Sequence, residues 1–256
     1  MPLQRSGSYE HGALYCIHPA GGLSWCYSSM TKYLPGDFPV WGTQARGVLS
    51  PDQQPASLEV MARDYLAEIR KVHRGGPLHI VGWSLGGMVA QVLVAIAHEE
   101  DFPIGTVALL DAYPSEAESN IEHPPYEDAI SSVLAMAGLE DDVLSGQFTS
   151  AALAEALTEH ASPMAGLSSD TIDALLVTYL NTAKILREYA HPVLETDVLF
   201  FSALKAGVGK DHNPNEWLPY IGGELKEIGI DCTHREMTQP GPMSLIGPAI
   251  AREVLR

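Results

Sequence analysis

A serine between two glycines, in Gly-Trp-Ser-Leu-Gly at residues 82–86, requires a particular local structure. The apolar run Leu78–Val81 precedes it, and a long apolar segment starts at Leu85. The first pattern is typical of a buried strand and the second of a buried helix. Glycines two residues before and after Ser84 allow strand and helix to approach without a Cβ clash, so the sequence predicts a sharp strand-to-helix turn.

Short apolar runs alternate with helical patterns along most of the chain. Strands are predicted at Ala13–Ile17, Phe38–Gln44, Leu78–Trp83, Ile104–Leu110, Asp197–Ala203 and Leu225–Cys232. Helices are predicted at Trp25–Leu34, Leu58–Val72, Leu85–Glu99 and Met243–Leu255. Strands with few alternating polar positions, separated by helices, predict an α/β fold whose mostly parallel central sheet is covered by helices on both faces.

Residues 115–192 interrupt this alternation with helices alone. The predicted helices are Tyr126–Ala137, Ser150–His160 and Ser169–Tyr189. We expect this helical insertion to form a lid over one end of the sheet, the alternative being a second packing layer with no gating role. The core would then consist of residues 13–114 and 193–256, and residues 1–12 would be a linker remnant or a disordered tail.

Composition argues against several classes of protein. The chain has 32 Asp and Glu against 15 Lys and Arg, a formal charge of −17 at pH 7. Such a surface is repelled by phosphate backbones and anionic lipids, so we expect no nucleic acid and no membrane as partner. Three cysteines without CxxC or HExxH spacing indicate neither a disulfide framework nor a metal site. Residues 1–11 are polar and lack the apolar stretch of a signal peptide, so we expect a soluble cytoplasmic protein.

Ser84 is the candidate nucleophile, because the predicted turn would expose its hydroxyl at a helix N-terminus. A serine hydroxyl needs a base to take its proton. Of ten histidines, His234 follows the last predicted strand and precedes the last helix, where this architecture places the base. It is our candidate for general base and acid.

The base in turn needs a carboxylate, and two aspartates compete for that role. Asp111 follows the strand Ile104–Leu110 directly, whereas Asp211 lies some nine residues beyond the next strand in a polar loop. A tetrahedral oxyanion would also need two N–H donors. Leu85 N–H supplies one by geometry, and Ala20 or Gly21 supplies the other from residues 18–22 (His-Pro-Ala-Gly-Gly), here termed the oxyanion loop.

Four motifs, taken together and in order, resemble the thioesterase domain that ends many nonribosomal peptide synthetases. They are Leu-Tyr-Cys-Ile-His-Pro-Ala-Gly-Gly (14–22), Gly-Trp-Ser-Leu-Gly-Gly (82–87), Leu-Leu-Asp-Ala-Tyr-Pro (109–114), and His-Arg-Glu-Met (234–237) with Pro240-Gly241 and Ile-Gly-Pro (246–248). The resemblance runs from about residue 13 to the C-terminus. It implies an α/β-hydrolase fold with a mobile helical lid, and a Ser84, Asp111 and His234 triad that favours Asp111 over Asp211.

The resemblance also implies a reaction and a partner. An upstream peptidyl carrier domain would deliver a peptidyl thioester on its 4′-phosphopantetheine arm, and Ser84 would accept the peptide before release by hydrolysis or macrocyclisation. The domain would need no cofactor of its own and no metal, and would be a monomer or part of a multidomain synthetase. The alternatives are a stand-alone editing (type II) thioesterase, a general serine esterase or polyketide thioesterase, and a non-catalytic carrier-docking module.

Overall fold

The described strands of the chain form one sheet. The computed structural model describes residues 1–4, 7–114, 126–139, 148–162, 164–187, 189–205 and 213–256. Within these ranges the strands are β1 Pro2–Gln4, β2 Ala13–Ile17, β3 Val40–Gly42, β4 Leu78–Trp83, β5 Ile104–Leu110, β6 Val198–Ala203 and β7 Leu225–Ile230. Their spatial order is β1-β3-β2-β4-β5-β6-β7, and every pair except β1–β3 is parallel. The prediction of a mostly parallel sheet is confirmed.

Helices cover both faces of this sheet. The α-helices are α1 Arg46–Leu49, α2 Leu58–Val72, α3 Leu85–Glu99, α4 Tyr126–Ala137, α5 Ser150–Glu159, α6 Ser169–Arg187 and α7 Pro240–Val254. Three 3₁₀ helices, Trp25–Tyr33, Pro214–Tyr220 and His234–Glu236, complete the described elements. Helix α7 starts three residues before the predicted Met243, because Pro240 occupies its first position, where a missing N–H costs no hydrogen bond.

Strand β4 shows how the two apolar cores arise. All six of its residues are buried, as expected for a central strand covered on both faces. Leu78 and Ile80 belong to the core under α2 and α3, whereas Val81 and Trp83 belong to the core under α7 and the 3₁₀ helix Trp25–Tyr33. The continuous apolar run that predicted this strand therefore supplies both cores from alternate positions.

The helical insertion builds a third core of its own. Buried residues of α4, α5 and α6 cluster with Leu23 from the loop after β2 and with Ala45 and Val48 from the segment after β3. These contacts place the insertion at the carboxyl ends of β2 and β3. Residues 115–125 lie outside the described ranges, and the division of the chain at residues 115 and 192 stays a prediction.

Residues 2–4 correct one expectation about the N-terminal segment. They form β1, which pairs antiparallel with β3, and the terminal ammonium of Met1 donates to the main-chain oxygen of Gly42 at 2.8 Å. A strand of three residues is too short to show a periodic apolar pattern, and for this reason the sequence predicts a linker or tail for residues 1–12. Pro2 fits because an edge strand tolerates a residue without an N–H donor.

Most other boundary differences from the sequence patterns are shifts of one or two residues, and two strands illustrate them. Strand β3 starts at Val40 rather than Phe38, because Pro39 separates Phe38 from the ladder. Strand β7 ends at Ile230 rather than Cys232. Among the helices in the described ranges, none combines the length and the apolar character needed to cross a membrane.

Candidate active site

Ser84 occupies the turn from β4 to α3 with a backbone conformation that is rare outside glycine. Its φ is 56° and its ψ is −132°, and its N–H donates to the main-chain oxygen of Leu110 at 3.0 Å. A Cβ on Gly82 would lie 2.3 Å from the oxygen of Gly86, and a Cβ on Gly86 would lie 2.6 Å from the oxygen of His18. The two glycines therefore permit the strained turn, which the sequence predicts.

His234 approaches this turn from the far end of the chain. It begins the 3₁₀ helix His234–Glu236, and its Nε2 lies 3.0 Å from Ser84 Oγ, 150 positions away in sequence. The N–H and hydroxyl of Thr233 both donate to the Glu236 carboxylate, at 2.8 and 3.0 Å. These hydrogen bonds lower the pKa of Glu236 and close a capping box that fixes the turn carrying the imidazole.

Asp111 completes the arrangement from the end of β5. Its Oδ2 lies 2.6 Å from His234 Nδ1, while its Oδ1 accepts from the Ala203 N–H at 2.9 Å and from the Tyr113 hydroxyl at 3.0 Å. Burial alone would raise the pKa of Asp111, but the hydrogen bonds from His234, Ala203 and Tyr113 outweigh it and hold the pKa below the ordinary value. Asp111 is therefore an ionised carboxylate at neutral pH.

The alternative acid, Asp211, lies outside the described residues. Asp111 by contrast has φ 44°, a left-handed conformation that turns its side chain from the strand end toward His234. With Nδ1–H donated to Asp111, Nε2 of His234 is the acceptor for the Ser84 hydroxyl proton. The three side chains have the geometry that nucleophilic catalysis by a serine requires.

The three candidate oxyanion donors lie at the same end of the sheet as Ser84. Leu85 is the first residue of α3, so its N–H has no acceptor within the helix and lies at the positive end of the helix dipole. Ala20 and Gly21 follow β2, whose Ile17 pairs with Gly82 of β4. Because the Cβ site of Gly86 is also within 2.7 Å of the Ile17 oxygen, the oxyanion loop packs against the first turn of α3.

His18 stabilises the oxyanion loop through a hydrogen bond to its main chain. It is fully buried; its Nδ1 lies 2.7 Å from the Pro19 oxygen, and its Nε2 contacts the Tyr65 hydroxyl. Burial lowers the pKa of His18 to about 4, so the ring is neutral, donates from Nδ1 and accepts at Nε2. The same Pro19 oxygen accepts the Gly22 N–H at 3.0 Å, which closes the turn that presents Ala20 and Gly21.

Three contacts at the site were missed by sequence reasoning. Tyr113 donates to Asp111, and Trp83 donates its indole N–H to the main-chain oxygen of His234. A Cβ on Gly21 would lie 2.0 Å from Cε of Met136, so α4 contacts the oxyanion loop directly. No residue pattern signals such contacts, although Tyr113 and Trp83 both stand inside the motifs. In the described ranges, no group of three or more His, Cys, Asp or Glu could hold a metal ion.

Comparison with known proteins gives the following likenesses. Residues 13–247 match the family model of the thioesterase domain. A dimodular nonribosomal peptide synthase of Bacillus subtilis is 37% identical over 253 residues, which are 98% of this chain and 11% of that protein. Enterobactin synthase component F of Escherichia coli is 28% identical over 245 residues, 93% of this chain and 17% of that protein. The chain thus spans less than a fifth of the length of these relatives.

Solved structures show the same fold. The Vlm2 thioesterase domain has a TM-score of 0.76 at 21% identity, over 98% of this chain and 96% of that one. A four-domain nonribosomal peptide synthetase, solved with AMP and glycine, has a TM-score of 0.82 at 19% identity, over 98% of this chain and 20% of that one. The fold is the α/β-hydrolase fold, as the sequence motifs imply.

Proposed function

The chain belongs to the thioesterase domain family, of the type found in nonribosomal peptide synthetases, and we propose that it releases a finished peptide from its carrier. The substrate would be a peptidyl thioester on the 4′-phosphopantetheine arm of an upstream peptidyl carrier domain. The observation that carries this proposal is the continuous hydrogen-bonded series Ser84, His234 and Asp111, with distances of 3.0 and 2.6 Å. The sizes of the relatives support a place inside a multidomain synthetase.

In the first half-reaction Ser84 Oγ attacks the thioester carbonyl. His234 Nε2 takes the hydroxyl proton, and Asp111 stabilises the resulting imidazolium through Nδ1–H. The Leu85 N–H, with Ala20 or Gly21 N–H, stabilises the tetrahedral oxyanion. Collapse of this intermediate breaks the carbon–sulfur bond, and His234 returns its proton to the pantetheine thiolate.

In the second half-reaction the peptidyl ester on Ser84 is released. Either water or an amine or hydroxyl of the same peptide loses a proton to His234 Nε2 and attacks the ester carbonyl. The tetrahedral intermediate then collapses, the bond between the carbonyl carbon and Ser84 Oγ breaks, and His234 returns the proton to Oγ. Water as the nucleophile gives a free acid, whereas the amine or hydroxyl gives a macrocycle. The helical insertion, whose apolar core includes Leu23 from the loop after β2, is proposed as the lid that limits the entry of water to Ser84.

Synthetic peptidyl-pantetheine thioesters of varied sequence test the substrate class. We expect turnover of these thioesters to exceed turnover of simple short-chain esters. Mass spectrometry identifies the product, because the free acid and the macrocycle differ in mass by one water. Preference for short esters would instead indicate a general serine esterase. Turnover confined to short acyl-pantetheine substrates would indicate an editing thioesterase.

A fluorophosphonate probe tests whether the domain is catalytic at all. The proposal predicts covalent labelling of the wild type and none of Ser84→Ala, because only an activated serine attacks phosphorus efficiently. Ser244→Ala, which removes an exposed serine of α7, is the matched control and should label as the wild type does. Absence of labelling in all three proteins would support a non-catalytic docking module.

A further inference from the structure

The indole of Trp83 contacts the residue that carries the proposed general base. Its Nε1–H donates to the main-chain oxygen of His234 at 3.1 Å, and the indole and imidazole centroids are 5.5 Å apart with their planes inclined by 37°. The main chain of Trp83 continues directly into Ser84. We propose that Trp83 is a positioning residue that sets the separation between Ser84 Oγ and His234 Nε2, an inference that rests on the catalytic roles proposed above.

Trp83 is itself held firmly. It is 3% exposed, and it pairs with Leu110 in the centre of the sheet. Its main-chain N–H donates to the hydroxyl of the fully buried Tyr27 at 2.6 Å, and that hydroxyl donates to the main-chain oxygen of Ile17 at 2.9 Å. Because Trp83 is buried and paired in the sheet, its indole is held in a fixed position relative to β4. The hydrogen bond from the indole therefore fixes the main chain of His234 relative to β4.

His234 needs such an anchor. Its side chain is 44% exposed, so packing alone does not immobilise it. The Thr233 and Glu236 capping box fixes the shape of the 3₁₀ turn, but it lies within residues 233–236 and does not tie the turn to the sheet. The hydrogen bond to Asp111 fixes one end of the imidazole and leaves rotation about that contact. Trp83 supplies the second fixed point, at the His234 main chain, and an aromatic face for the ring.

Trp83→Phe tests this role because it keeps an aromatic ring and removes the N–H donor. Loss of one hydrogen bond that holds the base should lower kcat roughly 5- to 10-fold with KM changed less than about 2-fold. Trp41→Phe is the matched control: Trp41 lies in β3, and its Nε1–H donates to the Tyr9 hydroxyl at 3.3 Å, away from His234. It should leave kcat unchanged.

A double-mutant cycle separates positioning from a general structural effect. If Trp83 acts through His234, Trp83→Phe should produce no further loss in a His234→Ala background, whose residual rate no longer depends on the imidazole. An equal fractional loss in both backgrounds, or a change in KM alone, would overturn the proposal. Should Trp83→Phe fail to fold, replacement by β-(3-benzothienyl)alanine removes the same N–H with the ring size kept.

Proton NMR gives a readout that needs no substrate. The Nδ1–H of His234, shared with Asp111, should give a low-field resonance in the wild type and in Trp41→Phe. That resonance should broaden or weaken in folded Trp83→Phe, because the imidazole is less restrained. An unchanged resonance with unchanged kcat would refute the positioning role. Failure of the wild type to turn over any peptidyl thioester would instead refute the proposed function, so the two failures are distinguishable.

Discussion

The carboxylate of Asp111 joins three separate parts of the chain at the scale of a single residue. Oδ2 faces His234 of the 3₁₀ turn, and Oδ1 accepts from Ala203 at the end of β6 and from Tyr113. A carboxylate can accept all three hydrogen bonds because it has two acceptor oxygens. Its position therefore sets the tautomer of the imidazole and stabilises the loop that follows β5.

Asp111→Asn should lower kcat on the order of 10³- to 10⁴-fold, since an amide offers only one acceptor oxygen and disturbs the His234 tautomer. The measurement is kcat on a peptidyl-pantetheine thioester. Asp231→Asn, which changes an exposed aspartate paired with Lys205, is the control and should have little effect. Asp211→Asn should also cost far less, and the reverse ranking of Asp111 and Asp211 would reassign the acid.

The residue scale also shows what sequence reasoning can reach at a site. A motif and the order of the elements along the chain predict that Ser84 and His234 lie close together. In the structure Ser84 Oγ and His234 Nε2 are 3.0 Å apart. The choice between Asp111 and Asp211 remained open from the residues alone, because both follow strands. The roles of Trp83 and Tyr113 depend on where side chains point across the fold, and no spacing rule encodes that.

At the scale of elements, the β4–α3 turn sets the position of Ser84, and the close contacts of Gly82 within it lead to a prediction about stability. Gly82→Ala should lower the free energy of unfolding by about 3 kcal/mol or more, because the new Cβ would meet the Gly86 oxygen at 2.3 Å and neither backbone can yield. Gly241→Ala in α7, where nothing lies within 4 Å of the Cβ position, should raise it by about 0.5–1 kcal/mol. Urea unfolding of both variants measures this. Equal changes in the free energy of unfolding for the two variants would contradict the close packing of the β4–α3 turn.

The contact between α4 and the oxyanion loop gives a second element-scale prediction. Gly21→Ala should lower the free energy of unfolding by about 1 kcal/mol or less, because the new Cβ displaces Cε and Sδ, the flexible end of the Met136 side chain. Met136→Ala in the same chain should recover most of that loss, since it vacates the space. A double-mutant cycle by urea unfolding measures the coupling, and strict additivity would show that α4 does not rest on the loop in solution.

Element type was predictable where the apolar pattern was long, and element ends were not. Leu58–Val72, Leu78–Trp83 and Leu85–Glu99 match the structure at both ends, because each has a strong periodic or continuous apolar pattern. The segment Trp25–Leu34 is predicted as a helix and forms the 3₁₀ helix Trp25–Tyr33, a distinction that side-chain spacing over nine residues does not reveal. Strand β1 escaped prediction because its pairing with β3, not its own residues, makes it a strand.

At the scale of the whole molecule, one fully buried and one partly buried histidine should make the fold sensitive to acid. Burial lowers the pKa of His18 and of His191 to about 4, from an ordinary value of 6.5. The unfolded chain takes up these two protons below pH 6.5 while the folded protein does not, so stability is full above pH 6.5 and falls toward pH 4. The fully buried His18 contributes at most about 1.4 kcal/mol per pH unit within that window, and the partly exposed His191 contributes less because solvent screens its charge.

Urea unfolding at pH 7, 6 and 5 measures this slope. His191→Gln should reduce it by less than about 1.4 kcal/mol per pH unit, because glutamine takes up no proton in either state and solvent screens part of the effect at this half-buried position. His191 contacts Gln91 and the rings of Tyr189, Trp217 and Tyr220, so the variant will also lower the stability at pH 7. The slope, not the absolute stability, is therefore the quantity to compare. An unchanged slope would show that His191 takes up its proton at the same pH in the folded and unfolded protein.

The central claim is that a peptide is held covalently on Ser84 between two half-reactions. Rapid quenching after mixing the domain with excess peptidyl-pantetheine thioester, followed by proteolysis and mass spectrometry, locates the acyl group directly. The account predicts an added mass equal to the acyl group on the fragment that contains Ser84, and no acyl adduct in Ser84→Ala. Product formation with the acyl group on any other residue, or by Ser84→Ala at the wild-type rate, would contradict it.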